Sequence, residues 1–198
     1  MGAISASMVK ELREKSSAGM MDCKEALSAC DGDIEKAMDY LRKKGLSKAA
    51  KRSGRETSEG VIESYIHMGG KIGVMVEVNC ESDFVAKNDD FKAFARNIAM
   101  HIAASSPAGI EPEDVPEDVV ERERALYREQ VLEMGKPENM VDKIVEGKIK
   151  KFYKEACLMD QAYVKDPGIS VRDYLNETVA KIGESIRIKR FARYQLGE

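Results

Sequence analysis

The sequence predicts an α+β protein in which a small N-terminal helical bundle precedes a core of antiparallel strands and helices. Apolar residues recur at helical spacing near the start, a strictly alternating stretch follows a glycine pair, and helical periodicity returns over most of the second half. These patterns predict a bundle at residues 1–45, a basic linker at 46–57 and an α+β core at 58–198. The core is expected to hold a small antiparallel sheet, flanking helices and a helical hairpin.

The composition of the chain limits the classes of protein to which it can belong. The 198 residues are 43% hydrophobic and 34% charged, with a net charge of -3, which is typical of a soluble protein with an ample core. This charge balance does not favour nucleic acid as the main partner. No apolar run approaches the length of a membrane span, and the first residues lack the pattern of a secretory signal. We therefore expect a cytoplasmic protein.

The four cysteines predict neither a metal site nor a disulfide framework. They are Cys23, Cys30, Cys80 and Cys157, with no CxxC pair and no histidine at ligand spacing. On one continuous helix, Cys23 and Cys30 would lie about 10 Å apart, too far for a disulfide bond. We expect four reduced, mostly buried thiols, with no metal and no cofactor.

The first 45 residues predict three short helices. Ser5 can cap the first, a second begins near Met20 or Met21, and Asp33 can cap the third, which Gly45 would end. Three such helices joined by glycine-containing turns are typical of a bundle of the ubiquitin-associated type, whose expected role is binding. Two adjacent methionines cannot face one core, so we expect one of this pair to be buried and the other exposed.

Residues 42–55 carry seven basic side chains and no acidic one. A solvated helix end that runs into a flexible linker is the commoner explanation of such a run. An acidic partner surface is the second explanation, and a nucleic-acid contact the third.

A β-hairpin is predicted for residues 60–79, with Gly69-Gly70 at its turn. The return strand places Ile72, Val74, Val76 and Val78 on one face. A short polar loop, Ser82–Val85, then carries Phe84 beside Asp83. Fully burying a phenylalanine is worth roughly 1.5–3 kcal/mol, so Phe84 either plugs the adjoining sheet or anchors a partner.

A helix with a buried apolar stripe follows the loop, capped by Asn88 or Asp89, and His101 beside this stripe is expected to be partly buried. Gly135-Lys136-Pro137 separates two further helices, which predicts an antiparallel helical hairpin. Asp166-Pro167-Gly168 predicts a turn. Last come a helix that Ser170 opens and Gly183 ends, and a strand whose alternation slips around Arg190, where a bulge or an exposed edge is expected.

The sequence contains no recognisable catalytic constellation. It lacks the phosphate-binding GxxxxGK[ST] loop, GxSxG, HExxH and any Ser/His/Asp set that spacing recommends. Two histidines and no tryptophan leave few catalytic options. We therefore expect a protein that acts by binding and is not an enzyme.

Three blocks resemble bacterial translation elongation factor Ts, in that family's order. They lie at residues 9–37, with Ala18-Gly19-Met20-Met21-Asp22-Cys23-Lys24 at their centre, at Glu77–Lys87, and at Lys181–Phe191. Ser82 stands where the family usually has threonine, so a hydroxyl is kept. The single hairpin-plus-helices unit resembles the family's short form, and this resemblance implies a homodimer.

The resemblance implies guanine nucleotide exchange on elongation factor Tu, in its GDP-bound and nucleotide-free forms. The loop would act near the magnesium site of that GTPase, and the N-terminal bundle would dock on its GTPase domain. The residues implied are Ser82, Asp83, Phe84 and Val85 in the loop, Leu12, Met20, Met21 and Lys24 in the bundle, and His67 in the hairpin. The competing hypotheses are an RNA- or ribosome-associated module that uses the basic linker, and an adaptor for ubiquitin-like proteins.

Overall fold

The computed structural model describes residues 4–16, 18–52, 54–67 and 69–197, and it confirms the α+β class. Its helices are α1 (Ala6–Ser16), α2 (Met20–Ala29), α3 (Ile34–Arg52), α4 (Asp83–Ala86), α5 (Asp89–Ser105), α6 (Glu117–Glu133), α7 (Glu138–Ala156) and α8 (Val171–Ile182). Its strands are β1 (Glu59–Ile66), β2 (Ile72–Cys80), β3 (Ala162–Tyr163), β4 (Asp166–Ser170) and β5 (Ile186–Gln195). Three strands form one sheet in the order β1-β2-β5, and β3 pairs with β4 in a second, antiparallel one.

The chain divides into two compact units. The first comprises Met1–Glu63, Glu77–Ala95 and Asp173–Lys189. The second comprises Ser64–Val76, Arg96–Arg172 and Arg190–Glu198. The division predicted from sequence, at residues 45 and 57, stays a prediction.

In the first unit, α1, α2 and α3 form the N-terminal bundle around a small core of Leu12, Cys23, Ala26, Leu27 and Ala37. Both predicted caps are confirmed. The Ser5 hydroxyl accepts a hydrogen bond from the Met8 amide at 3.2 Å, and the Asp33 carboxylate accepts one from the Lys36 amide at 3.0 Å.

Helix α3 does not end at Gly45, so that part of the prediction is wrong. The helix continues to Arg52 through most of the segment that was predicted as a linker. A methyl group on Gly45 would lie 3.2 Å from the Cβ of Ala180 on α8. The glycine therefore marks a close approach of two helices within the first unit, which its missing side chain permits.

The predicted β-hairpin is confirmed as β1 and β2. Gly69 and Gly70 adopt φ angles of 86° and 70°, as the tight turn requires, while the predicted strand residue Met68 lies outside the described residues. Along β2, Val74, Val76 and Val78 are buried, and Ile72 is half-buried. The predicted apolar face of this strand therefore does point into the protein.

Replacing Gly60 by alanine should prevent stable folding. Gly60 has a φ of 154°, and a Cβ there would overlap the Val78 carbonyl oxygen and lie 2.8 Å from the Asn79 Cα. We expect a loss of about 3 kcal/mol or more in the free energy of unfolding, measured by urea denaturation followed by circular dichroism. Gly54→Ala is the control, because nothing lies within 4 Å of the position that its new methyl group would take. Equal stability of the two variants would contradict the prediction.

Helix α5 buries its predicted stripe completely: Phe91, Phe94, Ala95, Ile98 and Ile102 have no exposed surface.

In the second unit, His101 is also fully buried, more deeply than predicted. Its Nδ1 accepts a hydrogen bond from the Val164 amide at 3.2 Å, so the proton resides on Nε2, which donates to Oε1 of Gln161 at 2.9 Å. The neutral ring thus ties α5 to the segments at 161 and 164.

The stability of the protein should fall as the pH falls below about 6.5, because burial lowers the pKa of His101 from its ordinary value of 6.5. Below that pH the unfolded chain binds a proton before the folded one does, which costs up to about 1.4 kcal/mol per pH unit. Denaturation midpoints between pH 7.5 and 5 would measure the slope. His101→Gln should reduce the slope and the exposed-site control His67→Gln should not, so equal slopes in both would contradict the assignment.

Helices α6 and α7 form the predicted antiparallel hairpin of the second unit. Their buried contact consists of Val131, Val141, Val145 and Ile149. Ion pairs join Arg124 to Glu146 and Arg128 to Asp142 across the two helices. Residues three and four apart on each helix therefore face the partner helix, as the apolar stripes predicted.

Of two features predicted near the C-terminus, the structure contradicts one and bears out the other. Asp166–Gly168 was predicted as a turn but begins β4, which pairs with β3. Along β5, burial alternates through Ile188 and then changes phase at Lys189 and Arg190, which are both exposed. The predicted slip around Arg190 is thus confirmed in the burial pattern. Along the described residues, no helix combines the length and apolar character needed to cross a membrane.

Candidate functional site

The predicted Ser82–Val85 loop is a short helical turn in the first unit. Helix α4 starts immediately after Ser82, which has extended backbone angles and whose hydroxyl accepts a hydrogen bond from the Val85 amide at 3.4 Å. Ala86 is buried at the other end of the turn. Between these two fixed points, Asp83 and Phe84 face solvent while Val85 is half-buried.

The Phe84 side chain is 82% exposed, more than any other large apolar side chain in the described part of the chain. It therefore does not plug the sheet, and of the two alternatives left open by the sequence the anchor remains. Leaving a phenylalanine in water forgoes roughly 1.5–3 kcal/mol of burial. A single exposed apolar residue is common, but one presented from a capped helical turn is well placed to enter a partner's pocket.

Asp83 forms an ion pair with Lys87 one turn later, at 2.7 Å. The hydrogen bond from Lys87 lowers the pKa of the Asp83 carboxyl below its usual value, so the group is ionised near neutral pH. Both side chains are largely exposed. Because exposed ion pairs are weak, a partner's hydrogen-bond donors could replace Lys87 at the carboxylate at little cost.

Two carboxylates that sequence reasoning missed hold this turn in place. Glu184 accepts hydrogen bonds from the Ser82 amide at 3.0 Å and from the Ser82 hydroxyl at 2.7 Å. Glu81 accepts one from the Ser185 amide at 2.6 Å, which lowers the pKa of Glu81. Both acids belong to the blocks that resemble the family, but no spacing rule connects positions 102 and 104 residues apart.

The N-terminal bundle presents a second apolar surface. Met20 and Met21 are 59% and 73% exposed, so the expectation that one of them would be buried is wrong. Cys23 and Ala26 supply the buried face of α2 instead, because the helix begins at Met20 and both methionines precede the buried stripe. Lys24 is exposed on the next turn.

The position of Leu12 does not fit the partner contact implied by the resemblance. Its side chain has no exposed surface and lies in the core of the bundle. It cannot contact a partner unless the bundle opens, so we assign it a structural role and retain Met20, Met21 and Lys24 as the candidate contacts.

His67 follows β1 and is exposed in the second unit. Its Nδ1 lies 3.2 Å from the Tyr65 hydroxyl, and the two ring centroids are 6.1 Å apart. This local pair holds the imidazole at the hairpin end. Among the described residues, the contacts of His67 do not indicate a catalytic or ligand-binding role.

The basic run at residues 42–55 is partly neutralised by the chain itself. Within the first unit, Lys44 pairs with Asp22 and Glu25, Arg55 pairs with Glu81, and Arg42 lies 3.7 Å from Asp173. Among the side chains of this run that the structure describes, Arg42, Lys44 and Arg55 thus already face acidic side chains. This arrangement favours a structural use of the run over a nucleic-acid contact.

The described residues supply little for covalent chemistry. All four cysteines are free, and burial raises the pKa of Cys80 and of Cys157 to about 11, which keeps both thiols protonated near neutral pH. No group of three or more His, Cys, Asp or Glu residues in these ranges is arranged to hold a metal ion. What the site can do is present Phe84, Asp83 and the methionine pair for contact.

Fold and site together define an α+β protein with a helical N-terminal bundle and an exposed aromatic side chain held on a fixed turn. Residues 6–198 match the family described as "Elongation factor TS". Proteins named "Elongation factor Ts" from Desulfosudis oleivorans and Syntrophobacter fumaroxidans are 81% and 60% identical, over 100% and 98% of this chain and 100% and 97% of their own lengths. One from Oleidesulfovibrio alaskensis is 59% identical over the full length of both chains. The chain belongs to the elongation factor Ts family and is a translation elongation factor.

Proposed function

We propose that this chain is a guanine nucleotide exchange factor that binds elongation factor Tu, both GDP-bound and nucleotide-free, and promotes GDP release so that GTP can bind. The observation that carries the proposal is the 82% exposure of Phe84 on a turn fixed at both ends. The names of the relatives support a role in translation elongation. The exchange activity and the identity of the partner follow from the resemblance of the sequence blocks.

In this proposal Phe84 inserts between two helices of the GTPase near its magnesium site. Ser82 and Val85 shape the turn, and Asp83 exchanges its pairing with Lys87 for a partner's helix N-terminus or backbone amide. The insertion disturbs the magnesium and phosphate contacts of GDP. A factor that weakens GDP binding must, by linkage, be weakened equally by GDP, so the complex is transient when nucleotide is abundant.

The N-terminal bundle supplies a second contact, on the GTPase domain. Met20 and Met21 offer flexible, polarisable side chains that adapt to an apolar surface, and Lys24 adds a charge beside them. His67 is kept as a further contact, on the hairpin. Two separate contacts on one partner raise the overall affinity beyond either alone.

No step of this function needs chemistry from the chain itself. The proposed factor is not an enzyme, uses no cofactor or metal of its own and contacts no specific nucleic acid or membrane. It acts where elongation occurs, in the cytoplasm. Its effect on the GTPase is a difference in binding free energy between two nucleotide states.

We also propose a homodimer. In the second unit, Ile66, Met75 and Tyr194 are 66%, 53% and 73% exposed on strands of the three-stranded sheet. Apolar side chains on an uncovered strand face are typical of an interface with another copy. Sedimentation at several concentrations should show dimers, and Met75→Glu should shift the equilibrium towards monomers.

The test of exchange is the release of a fluorescent GDP analogue from purified elongation factor Tu, chased with excess GTP. The native chain should accelerate release, and the rate should rise to a plateau with factor concentration. The affinity of the chain for the GTPase should fall when GDP is added, by the factor that the chain imposes on GDP affinity. A folded chain that leaves the release rate unchanged at every concentration would overturn the proposal.

A further inference from the structure

Two segments of the chain, Glu81-Ser82 and Glu184-Ser185, are joined by reciprocal hydrogen bonds. The Glu81 side chain accepts the Ser185 amide, and the Glu184 side chain accepts the Ser82 amide. The segments are 104 and 102 residues apart in sequence and lie within the same unit. The connection after β2 is thereby bound to the connection before β5, at the point where α4 begins.

Glu184 also sets the direction of the Ser82 hydroxyl. At 2.7 Å the hydroxyl donates its only proton to Oε1 of Glu184, so its lone pairs are left to accept the Val85 amide that caps α4. Bonds to a carboxylate are stronger than those between neutral groups. The N-terminal cap of α4 is therefore oriented by a residue from the far end of the chain.

Helix α4 needs such support, because it has only four residues. A helix this short is not stable on its own, since forming the first turn is unfavourable. Of its side chains only Ala86 is buried, so little apolar contact holds the turn. Hydrogen bonds from outside the helix must then determine whether Phe84 is presented in one direction or in many.

We propose that Glu184 is a positioning residue for Phe84 and acts through Ser82. It pre-organises the turn, so that less conformational freedom is lost when Phe84 enters a partner. The consequence for binding rests on the proposed exchange function, whereas the ordering of the turn does not. If only a fraction of molecules holds the turn correctly, the apparent affinity is the intrinsic affinity multiplied by that fraction.

The ordering of the turn can be tested without a partner. The sequence has no tryptophan, so Phe84→Trp introduces a single indole reporter on α4. Time-resolved anisotropy should show an indole that moves with the whole protein, and adding Glu184→Ala should introduce fast local motion. Glu111→Ala is the matched control, because it removes a carboxylate that binds Arg172 at 2.6 Å in the other unit. Equal local motion in both variants would overturn the proposal.

The consequence for binding is tested with native Phe84 in the GDP-release assay. Glu184→Ala should raise the half-saturating concentration about tenfold and leave the plateau rate unchanged, because correctly folded turns still act once bound. Glu111→Ala should change neither value. An unchanged half-saturating concentration in Glu184→Ala would overturn the positioning role, even if the indole reporter had become mobile.

Ser82→Ala provides a second route to the same turn, should Glu184→Ala fold poorly. The alanine variant loses the hydroxyl bonds but keeps the amide bond to Glu184. If Glu184 acts through Ser82, the double variant should be little worse than Glu184→Ala alone, whereas fully additive effects would contradict the proposed route. The two proposals can fail separately. If the native chain did not accelerate GDP release, but the local motion of the indole still increased in Glu184→Ala, the exchange function would be overturned and the ordering role supported.

Discussion

Replacing Phe84 by alanine should nearly abolish nucleotide exchange at working concentrations while leaving the protein folded. Burying a phenylalanine in a partner contributes roughly 1.5–3 kcal/mol, so its loss should raise the half-saturating concentration about 10- to 100-fold. Because the side chain is 82% exposed, the free energy of unfolding should change by less than about 0.5 kcal/mol. GDP-analogue release and urea denaturation measure the two effects.

Leu132→Ala is the matched control for Phe84→Ala. Leu132 is 52% exposed on α6, in the other unit, so its truncation removes exposed apolar surface away from the turn. Exchange by this control should equal that of the native chain. If Phe84→Ala retained full exchange, the activity would have to come from another surface and the anchor would be lost from the mechanism.

Replacing Leu12 by alanine should unfold the N-terminal bundle. The bundle core contains only five fully buried residues, and truncating a buried leucine costs about 2–5 kcal/mol. A helical unit of this size has a total stability of only a few kcal/mol, so the loss is comparable with the whole. Amide hydrogen exchange should show loss of protection along α2, while the strands keep theirs.

Met21→Ala separates this structural effect from a loss of contact. Met21 is 73% exposed, so its truncation should leave the protection of α2 intact and only raise the half-saturating concentration for exchange. Leu12→Ala should lower exchange through unfolding of the bundle. Native protection of α2 in Leu12→Ala together with weakened exchange would restore Leu12 as a contact residue.

Local patterns predicted much of the fold. The spacing of Phe91, Phe94 and Ile98 predicted the buried face of α5, and the alternation of valines predicted that of β2. The caps at Ser5 and Asp33 were predicted because a cap concerns residues three positions apart. In each case the residues that decide the structure are neighbours along the chain.

The differences arose where distant segments meet. Glycine is typical of a helix end, but α3 continues through Gly45, where the missing side chain leaves room for Ala180 of α8. Met20 and Met21 are both exposed because α2 begins at Met20 and turns Cys23 inward. Leu12 fits a contact surface as well as a core by its chemistry, and only the packing of three helices shows that it is buried.

The sequence by itself determined the α+β class, the order of the main helices and strands, and the family to which the chain belongs. Helical and strand periodicities, caps and motifs are properties of short stretches, so they can be read without the fold. Only the tertiary structure decided that Phe84 faces solvent and that Glu184 fixes the turn beneath it. Burial and hydrogen bonds between segments a hundred residues apart depend on how the whole chain packs, and no local pattern contains that information.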